Sequence, residues 1–326
     1  MKQINRPRRN RKNEMLRSLV REHRLSVKDL IAPLFLIDGV GQKIEIESMP
    51  GQFRFSQDLL IDEVKKLADL GVPCVALFPV VQGHLKNSQG SESLNPKGLY
   101  ATTLAALKKA VPQILVMTDV ALDPYSSDGH DGVVDSVSGE ILNDPTLEIL
   151  AQMAVMQADA GADIVGPSDM MDGRVGKIRE ALDSTGHGNT SIMSYTAKYA
   201  SAFYGPFREA LDSAPKAGDK KTYQMDYANK KEALREAILD ESEGADILMV
   251  KPGLAYLDII NDLKRHSLLP IAAYNVSGEY AMVKAAASKG WIDNDAMILE
   301  TLTSFKRAGA DIILTYFAAE AAILLG

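Results

Sequence analysis

Two lysines in this sequence occupy positions where a charged side chain is unexpected. Lys251 follows the apolar residues 247–250 in "ADILMVKPGLAY", directly before a Pro-Gly break, and Lys198 follows the apolar run "SIMSYTA". Burial disfavours the charged form of a lysine, and a second ammonium nearby acts in the same direction, so we expect both pKa values to fall. An uncharged lysine amine attacks carbonyl groups and forms Schiff bases. The alternative for each lysine is a structural ion pair with a nearby carboxylate.

A recurring sequence pattern shows which elements position these lysines. The pattern is a helical stretch that ends at a glycine, followed at once by a β-rich apolar run. It occurs in "LADLGVPCVALFPV", "ADAGADIVGPS", "ESEGADILMVKP" and "KRAGADIILTYF", with Gly71, Gly161, Gly244 and Gly309 as the glycines. Glycine is the residue preferred just after the last turn of a helix. The pattern therefore predicts the junction between a helix and the strand that follows it.

Four further apolar runs, at 32–38, 113–120, 190–196 and 269–276, bring the number of predicted strands to eight. Their apolar residues are continuous rather than alternating, which is typical of parallel strands buried on both faces. Amphipathic stretches of helical length separate most of them, namely 57–70, 145–160, 228–243 and 292–308. We predict a (β/α)₈ TIM barrel. A doubly wound open sheet is the alternative, but no G-x-G-x-x-G motif follows the first strand.

The predicted barrel spans residues 31–326, with polar insertions at 124–144 and 212–227. The active site of such a barrel lies at the carboxyl ends of the strands. The residues at or just beyond these ends are Asp119, Ser168, Asp169, Lys198, Lys251, Ser277 and Tyr316. Lys198 and Lys251 would end two neighbouring strands, which lie about 4.8 Å apart in a sheet. The two amines would then share one barrel mouth.

Residues 1–30 form a basic N-terminal arm ahead of the barrel. The whole chain carries a net charge of −7, yet residues 1–24 contain nine Lys and Arg against two Glu, so this segment is +7 and the remainder is −14. Such an arm could be a solvated tail, an organelle address, a nucleic-acid contact or a contact with a second copy of the chain. It has no aromatic residues, and the acidic body would repel phosphate, so nucleic acid is the weakest of these readings.

Composition also limits where the protein works. No uncharged apolar run approaches the length of about 18 residues that crosses a bilayer, and Cys74 is the single cysteine, which excludes an internal disulfide. We expect a cytoplasmic protein that binds neither a membrane nor nucleic acid.

The two lysine segments resemble a known family. "GADILMVKPGLAY" and "SYTAKYASAFYGPFREA" are similar to the lysine motifs of porphobilinogen synthase, also called 5-aminolevulinate dehydratase, and the resemblance extends from Arg8 to the C-terminus. The resemblance implies a barrel enzyme, a hydro-lyase that condenses two 5-aminolevulinate molecules to porphobilinogen in tetrapyrrole synthesis. It implies that Lys251 holds the substrate that supplies the propionate side (the P site) and Lys198 the one that supplies the acetate side (the A site).

The resemblance also implies which residues bind the substrates. Arg208 and Lys220 would bind the A-site carboxylate, and Ser277 and Tyr316 the P-site carboxylate. Gln224 falls in the stretch 212–227, which resembles the family's mobile lid, and a lid would protect imines from water. Without the resemblance, Arg208 and Lys220 could equally be exposed surface cations.

The segment "DVALDPYSSDGHDG" bears on the choice of metal. The family's zinc-binding cysteines align with Ala121, Asp123 and Asp131, so this chain resembles the magnesium-type branch, and we expect no catalytic zinc. The oxygen ligands of Asp119, Asp123, Asp128 and Asp131, with His130, suit Mg²⁺, a monovalent cation or no ion. Without an ion, the Asp residues could orient an amine or act as general bases; the alternative is a solvated acidic turn.

A second metal site is implied by resemblance alone. Glu236 matches the carboxylate that holds an allosteric Mg²⁺ in many bacterial members, near Asp169 and Arg174, with Asp169 as a ligand through water.

The N-terminal arm resembles one that wraps a neighbouring barrel, so we expect a homo-oligomer, an octamer built from arm-exchanging dimers. Two other functions stay open at this point: a lysine-dependent aldolase on the same barrel, and a barrel that only binds ligands.

Overall fold

The computed structural model describes residues 4–326, and these form a closed barrel of eight parallel strands. The strands are β1 (Leu30–Leu36), β2 (Cys74–Pro79), β3 (Leu115–Val120), β4 (Ile164–Pro167), β5 (Ser191–Lys198), β6 (Ile247–Lys251), β7 (Ile271–Asn275) and β8 (Ile312–Thr315). Each strand pairs with the next in chain order, and β8 pairs with β1 to close the ring. The TIM barrel prediction is confirmed, and the alternative of an open doubly wound sheet is wrong.

The continuous apolar runs explain why the barrel strands are buried on both faces. All seven residues of β1 and all six of β2 are buried, since one face packs inside the barrel and the other lies beneath the helices. Full burial of one such aliphatic side chain stabilises the folded state by about 1.5–3 kcal/mol.

Helices surround the barrel and alternate with its strands. The α-helices of the described residues are α1 (Glu14–Leu19), α2 (Gln57–Asp69), α3 (Leu99–Ala110), α4 (Asn143–Asp159), α5 (Arg174–Ser184), α6 (Gly205–Leu211), α7 (Lys231–Ser242), α8 (Leu257–His266), α9 (Ser277–Ser288), α10 (Asn294–Ala308) and α11 (Ala318–Leu325). Short 3₁₀ helices occur at Pro7–Arg11, Val27–Asp29, Gly83–Leu85, Ser91–Leu94, Ala202–Tyr204 and Leu254–Tyr256. The four predicted helical stretches correspond to α2, α4, α7 and α10, within three residues at each end.

The glycines of the recurring pattern lie where the helices end. Gly71, Gly161, Gly244 and Gly309 have φ values of +85°, +105°, +99° and +116°. Only glycine adopts such values without steric cost. The predicted junction between a helix and the following strand is thus confirmed at all four positions.

Three excursions leave the barrel. Short strands Lys43–Glu45 and Phe53–Phe55 extend the sheet beyond β1, and the insertion at 124–144 contains the two-stranded hairpin Val133–Val134 with Ile141–Leu142. The insertion at 212–227 links α6 to α7 without regular structure. It packs on the other insertion through a hydrogen bond from the Lys216 amide to the Asp128 carbonyl at 3.0 Å. The two insertions therefore meet above the carboxyl ends of the strands.

Most of the described part of the N-terminal arm lies outside the barrel core, but Leu25 and Val27 pack against the core and Leu30 is already the first residue of β1. Its three helices, Pro7–Arg11, α1 and Val27–Asp29, contain no buried residue, and the side chains of Met15 and Leu19 are 82% and 77% exposed. Within the described residues, no helix combines the length and the apolar character needed to cross a bilayer.

We expect Gly309→Ala to destabilise the fold more than Gly290→Ala. A Cβ at 309 would lie 2.7 Å from Cγ of Lys264 at a φ of +116°, whereas Gly290 has a φ of +69° and open space around it. The first change should lower the free energy of unfolding by about 2–3 kcal/mol and the second by about 1 kcal/mol. Urea denaturation at one protein concentration measures both; equal losses would contradict the assignment of Gly309 as a steric requirement.

Candidate active site

Two lysines end neighbouring strands at the barrel mouth. Lys198 is the last residue of β5, Lys251 is the last residue of β6, and the two are direct partners in the parallel register. Both are buried, with 6% and 5% of their surface exposed. Neighbouring strands lie about 4.8 Å apart, so both side chains enter one space. The structure therefore brings together the two lysines that the sequence indicates.

Lys251 lies in a setting of aromatic rings. Its Nζ is 4.6 Å from the ring centre of Tyr274, 4.9 Å from that of Phe207, 5.0 Å from that of Tyr195 and 5.4 Å from that of Tyr204. Among the described residues, no carboxylate lies within 4.0 Å of this nitrogen. Burial lowers the pKa of Lys251 to about 7, and the positive charge of Lys198 adds to the effect. A large fraction of Lys251 is thus an uncharged amine at neutral pH.

Lys198 has a different environment. Its Nζ lies 3.4 Å from a carboxylate oxygen of Asp131 and donates a short hydrogen bond to the carbonyl oxygen of Ser168. The alternative of a structural ion pair therefore describes Lys198 in this structure, while Lys251 has no such partner within reach. The two amines therefore share one barrel mouth, but Lys198 contacts oxygen atoms and Lys251 contacts aromatic rings.

Three buried aspartates complete this side of the mouth. Burial raises the pKa of Asp119 to about 7, with a contribution from the charge of Asp123, whose own pKa is also raised by burial. Burial would likewise raise the pKa of Asp131, but Lys198 and Lys220 outweigh it, and the pKa is lowered. Asp131 is thus an anion, and Asp119 gains and loses a proton in the same pH range as Lys251.

The insertion 212–227 covers the aspartates. Nζ of Lys220 lies 2.9 Å from Asp131 and 3.3 Å from Asp123, and the amide of Gln224 lies 3.5 Å from Asp131. Lys220 and Gln224 are 7% and 4% exposed. Burial alone would lower the pKa of Lys220, but these two carboxylates raise it. Lys220 is therefore a buried cation and not the exposed surface cation of the alternative reading.

His130, in the insertion 124–144, contacts two residues of the insertion 212–227. Its Nε2 lies 3.0 Å from the carbonyl oxygen of Ala217, and its Nδ1 lies 3.1 Å from the hydroxyl of Tyr223. The Tyr223 hydroxyl also accepts a hydrogen bond from the amide of Asp131 at 3.3 Å. The cover is thus bonded to the acidic segment that carries Asp131.

Two hydroxyl groups lie on the Lys251 side of the mouth. Ser277 begins α9 and is 1% exposed. Its hydroxyl accepts a hydrogen bond from the Phe207 amide at 3.0 Å and donates one to the Phe203 carbonyl at 3.3 Å, a bond that it would exchange for one to a ligand. Tyr316 directly follows β8, and its hydroxyl lies 3.1 Å from that of Tyr274. Burial raises the pKa of Tyr316, so its hydroxyl remains a neutral donor. These groups can hydrogen-bond an anion that enters beside Lys251.

Arg208 lies on α6 next to this space and is partly buried. Its charge acts on Tyr204, whose pKa is raised by burial. Among the described residues, no carboxylate lies within 4.0 Å of the Arg208 guanidinium. This cation is therefore available for a ligand carboxylate.

Asp169 and Glu236 belong to a cluster of carboxylates around a buried arginine, Arg174. Arg174 lies 3.4 Å from Asp240 and 4.0 Å from Asp169. These two carboxylates and the charge of Glu236 raise the pKa of Arg174. Burial raises the pKa of Asp169 to about 6, and its Oδ2 has no hydrogen-bond partner. Glu236 is half-buried, and burial raises its pKa. Asp169 lies directly after Ser168, so this cluster adjoins the Lys198 side of the mouth.

The donor sets can be tested against the expected metals. Among residues 4–326, no group of three or more His, Cys, Asp or Glu side chains is arranged to hold a metal ion. The oxygens of Asp131 and Asp123 are bound by Lys220, and Cys74 begins β2 at the opposite end of the barrel. Glu236, in contrast, lines a cavity of about 960 Å³ that also includes Asp172. One or two carboxylates beside such space fit a largely hydrated Mg²⁺.

Sequence reasoning did not identify the rings around Lys251. Tyr195 and Tyr274 lie within strands and Tyr204 and Phe207 within the segment after β5, where aromatic residues are usually core. The signal that could have found them is the strand register, since Tyr195 and Tyr274 lie on the strands that flank β6.

The chain is similar to known proteins over almost its whole length. The sequence model of the family described as "Delta-aminolevulinic acid dehydratase" matches residues 4–324. The delta-aminolevulinic acid dehydratase of Bradyrhizobium diazoefficiens is 54% identical over 97% of this chain and 90% of the relative. That of Synechococcus elongatus is 53% identical over 97% of both chains. The chloroplastic one of Physcomitrium patens is 57% identical over 97% of this chain and 73% of the relative.

A solved structure is also similar. The delta-aminolevulinic acid dehydratase (porphobilinogen synthase) of Toxoplasma gondii, crystallised in complex with the reaction product porphobilinogen, superposes with a TM-score of 0.97. It is 55% identical in sequence, and the match covers 99% of this chain and 92% of that one.

We expect Lys198→Met to raise the pKa of Lys251. The ammonium of Lys198 disfavours a second positive charge nearby, so its removal favours the charged form of Lys251 and reduces the uncharged fraction at pH 7. Competitive acetylation with peptide mapping should show several-fold slower modification of Lys251 at pH 7. Lys221→Met, which removes an exposed lysine of the same net charge, is the matched control. An unchanged titration of Lys251 in Lys198→Met would show that the two amines are not coupled.

Proposed function

Because the chain belongs to the delta-aminolevulinic acid dehydratase family, we propose that its reaction is carried by the lysine pair at the barrel mouth. The protein is a porphobilinogen synthase, a hydro-lyase that condenses two 5-aminolevulinate molecules to porphobilinogen and two waters in the biosynthesis of heme and other porphyrins. The observation that carries the proposal is the register that pairs Lys198 with Lys251. The aldolase and the ligand-binding barrel do not agree with this family membership.

Lys251 is the residue best prepared to act as a nucleophile. Its uncharged amine adds to the ketone of one substrate to give a carbinolamine, which loses the former carbonyl oxygen as water and leaves an imine. Asp119 exchanges protons in the same pH range, so it can accept the proton released from the amine and return one to the departing oxygen. By its resemblance, Lys251 holds the substrate of the P site.

Lys198 holds the second substrate, at the A site. Its ammonium is bound by Asp131 and by the Ser168 carbonyl, so it must lose a proton and these contacts before it attacks a ketone. Lys251 has no such contacts to break among the described residues. This difference supports an order in which Lys251 forms the first Schiff base.

The remaining polar residues bind the substrates. Ser277 and Tyr316 supply hydroxyl donors for the carboxylate at the P site, and Arg208 and Lys220 supply cations for the carboxylate at the A site. Lys220 is paired with Asp123 and Asp131, so an entering carboxylate would exchange partners with them. Gln224, Asp119, Asp123 and Asp131 would then face the amino group of that substrate. The segment 212–227 is the lid that excludes water from both imines.

The proposed metal content follows from the donor sets. Glu236, with Asp169 as a ligand through water, would hold an allosteric Mg²⁺, which would supply positive charge to a site dominated by carboxylates. We propose that this protein is of the magnesium type and uses no catalytic zinc, since the aspartate cluster lacks thiolates. The same cluster would accept a monovalent cation when the lid releases Lys220.

The basic arm is proposed to bind a second copy of the chain. Its apolar side chains Ile4, Met15 and Leu19 are 80%, 82% and 77% exposed, while the rest of the molecule is strongly acidic. A basic arm on an acidic neighbour is electrostatically favourable. These features support dimers that exchange arms. The resemblance to the family implies that such dimers assemble into an octamer. No nucleic-acid or membrane partner is proposed.

The cytoplasm remains a prediction for the compartment. The relatives include proteins of bacteria and proteins described as chloroplastic.

Borohydride trapping tests the lysine roles. With 5-aminolevulinate and borohydride, the unmodified protein should gain mass on Lys251, and Lys251→Met should lose this adduct. Lys198→Ala should still form the Lys251 adduct but produce no porphobilinogen, because the second substrate has no amine to hold it. Normal turnover in Lys198→Ala would refute a mechanism that uses two lysines.

Chelation tests the magnesium site. Exhaustive removal of divalent ions should lower activity and change the sedimentation of the protein, and Mg²⁺ but not Zn²⁺ should restore both. In Glu236→Gln both properties should become insensitive to Mg²⁺, whereas Glu180→Gln, which changes an exposed carboxylate of α5 that does not line this cavity, should behave as the unmodified protein. No change in size or rate after chelation would contradict the proposed site.

A further inference from the structure

A buried carboxylate lies behind the Lys251 side of the mouth and has no part in the chemistry proposed above. Glu279 is 1% exposed and is the third residue of α9, the helix that begins with Ser277. Among the described residues, no cation forms an ion pair with it. An unpaired buried carboxylate is costly, and this one is retained next to the substrate site.

The hydrogen bonds of Glu279 join the ends of two strands. Its Oε1 accepts from the amide of Leu254 at 2.8 Å, and this amide lies three residues after Lys251. Its Oε2 accepts from the Val276 amide at 3.1 Å and from the Asn275 side chain at 2.9 Å. Glu279 therefore ties the segment after β6 to the end of β7.

The same network continues to the third strand. Oδ1 of Asn275 accepts a hydrogen bond from the Thr315 hydroxyl at 2.9 Å, and that hydroxyl accepts one from the Phe317 amide at 3.1 Å. Asn275 and Thr315 are fully buried register partners on β7 and β8. Tyr316 lies between Thr315 and Phe317 in the chain. The network thus reaches backbone groups within three residues of each group proposed for the P site: Lys251, Ser277 and Tyr316.

We propose that Glu279 is a positioning residue that holds Lys251, Ser277 and Tyr316 in the relative geometry that one substrate molecule requires. It acts through backbone groups and touches no substrate, and the proposal rests on the P-site assignment above. All of its neighbours in the network are N–H donors, so only a side chain with acceptors on both terminal atoms satisfies them together. Burial raises the pKa of Glu279 to about 7, against the effect of these hydrogen bonds.

Glu279→Gln is the decisive variant, because its amide group turns one acceptor into a donor that faces an N–H. A misplaced reacting group costs up to about a hundredfold in rate. We expect the 5-aminolevulinate concentration for half-maximal borohydride trapping on Lys251 to rise by about tenfold or more. Glu279→Asp keeps both acceptors on a shorter side chain. Its concentration for half-maximal trapping should lie between those of the unmodified protein and Glu279→Gln.

A purely structural role would give a different result. Asp293→Ala is the matched control, since it removes the hydrogen bond from the Ala296 amide at the start of α10, away from the mouth. This change should lower the melting temperature and leave the trapping concentration unchanged. If Glu279→Gln also lowers only the melting temperature, the positioning role is wrong.

Thr315→Val removes the hydrogen bonds of the Thr315 hydroxyl to Asn275 and to the Phe317 amide, with little change in side-chain shape. It is the test variant if Glu279→Gln does not fold. It should raise the trapping concentration, and its effect should add less than fully to that of Glu279→Gln, because both act on one network. Unchanged trapping in Thr315→Val would overturn the proposal. Absence of any Lys251 adduct in the unmodified protein would instead refute the proposed lysine chemistry.

Discussion

The burial of two amines at adjacent ends of parallel strands is the constraint on which the rest of the site depends. The register pairs Lys198 with Lys251, and the barrel leaves each only about a twentieth exposed. Two buried ammonium groups at this spacing repel each other and lose solvation, so the surroundings must either supply negative charge or accept an uncharged amine. Lys198 has the negative charge of Asp131 beside it. Lys251 has four aromatic rings around it instead, and these allow an uncharged amine.

This division sets the protonation of the mouth. Asp131 carries its charge because two ammonium groups compensate for its burial, whereas Asp119 forms no ion pair with any described residue and has its pKa raised to about 7. Aromatic faces attract a cation, so the rings around Lys251 offset part of its desolvation. They do not supply a full negative charge, and the pKa of Lys251 stays near 7. An acid, a base and a nucleophile thus coexist at neutral pH within one buried space.

Much of this arrangement could be predicted from the sequence because it depends on local rules. Continuous apolar runs and the glycines at 71, 161, 244 and 309 predicted eight strands and their junctions, and the strand ends located both lysines. The partners of these lysines could not be predicted in the same way. The contact of Lys220 with Asp131 depends on how two irregular insertions pack together, and Tyr195 and Tyr274 have the pattern of ordinary strand residues. Sequence analysis did not identify Glu279, and only the tertiary structure shows that it accepts a hydrogen bond from the Leu254 amide.

The asymmetry of the mouth has a direct bearing on specificity, since the reaction joins two copies of the same molecule. Identical substrates cannot be distinguished by their own chemistry, so the protein must offer two different environments. One half of the mouth, from β3 to β5 with the lid, presents aspartates and cations in ion pairs. The other half, from β6 to β8, presents aromatic rings and hydroxyls. Behind it, Glu279 accepts hydrogen bonds from uncharged N–H donors of the Leu254 amide and the Asn275 side chain. On the proposed assignment of the two sites, a substrate whose free amino group is stabilised by nearby charges would bind in the first half, and a substrate bound through its ketone and carboxylate alone would bind in the second. The two positions would then have separate roles without any difference between the molecules that fill them.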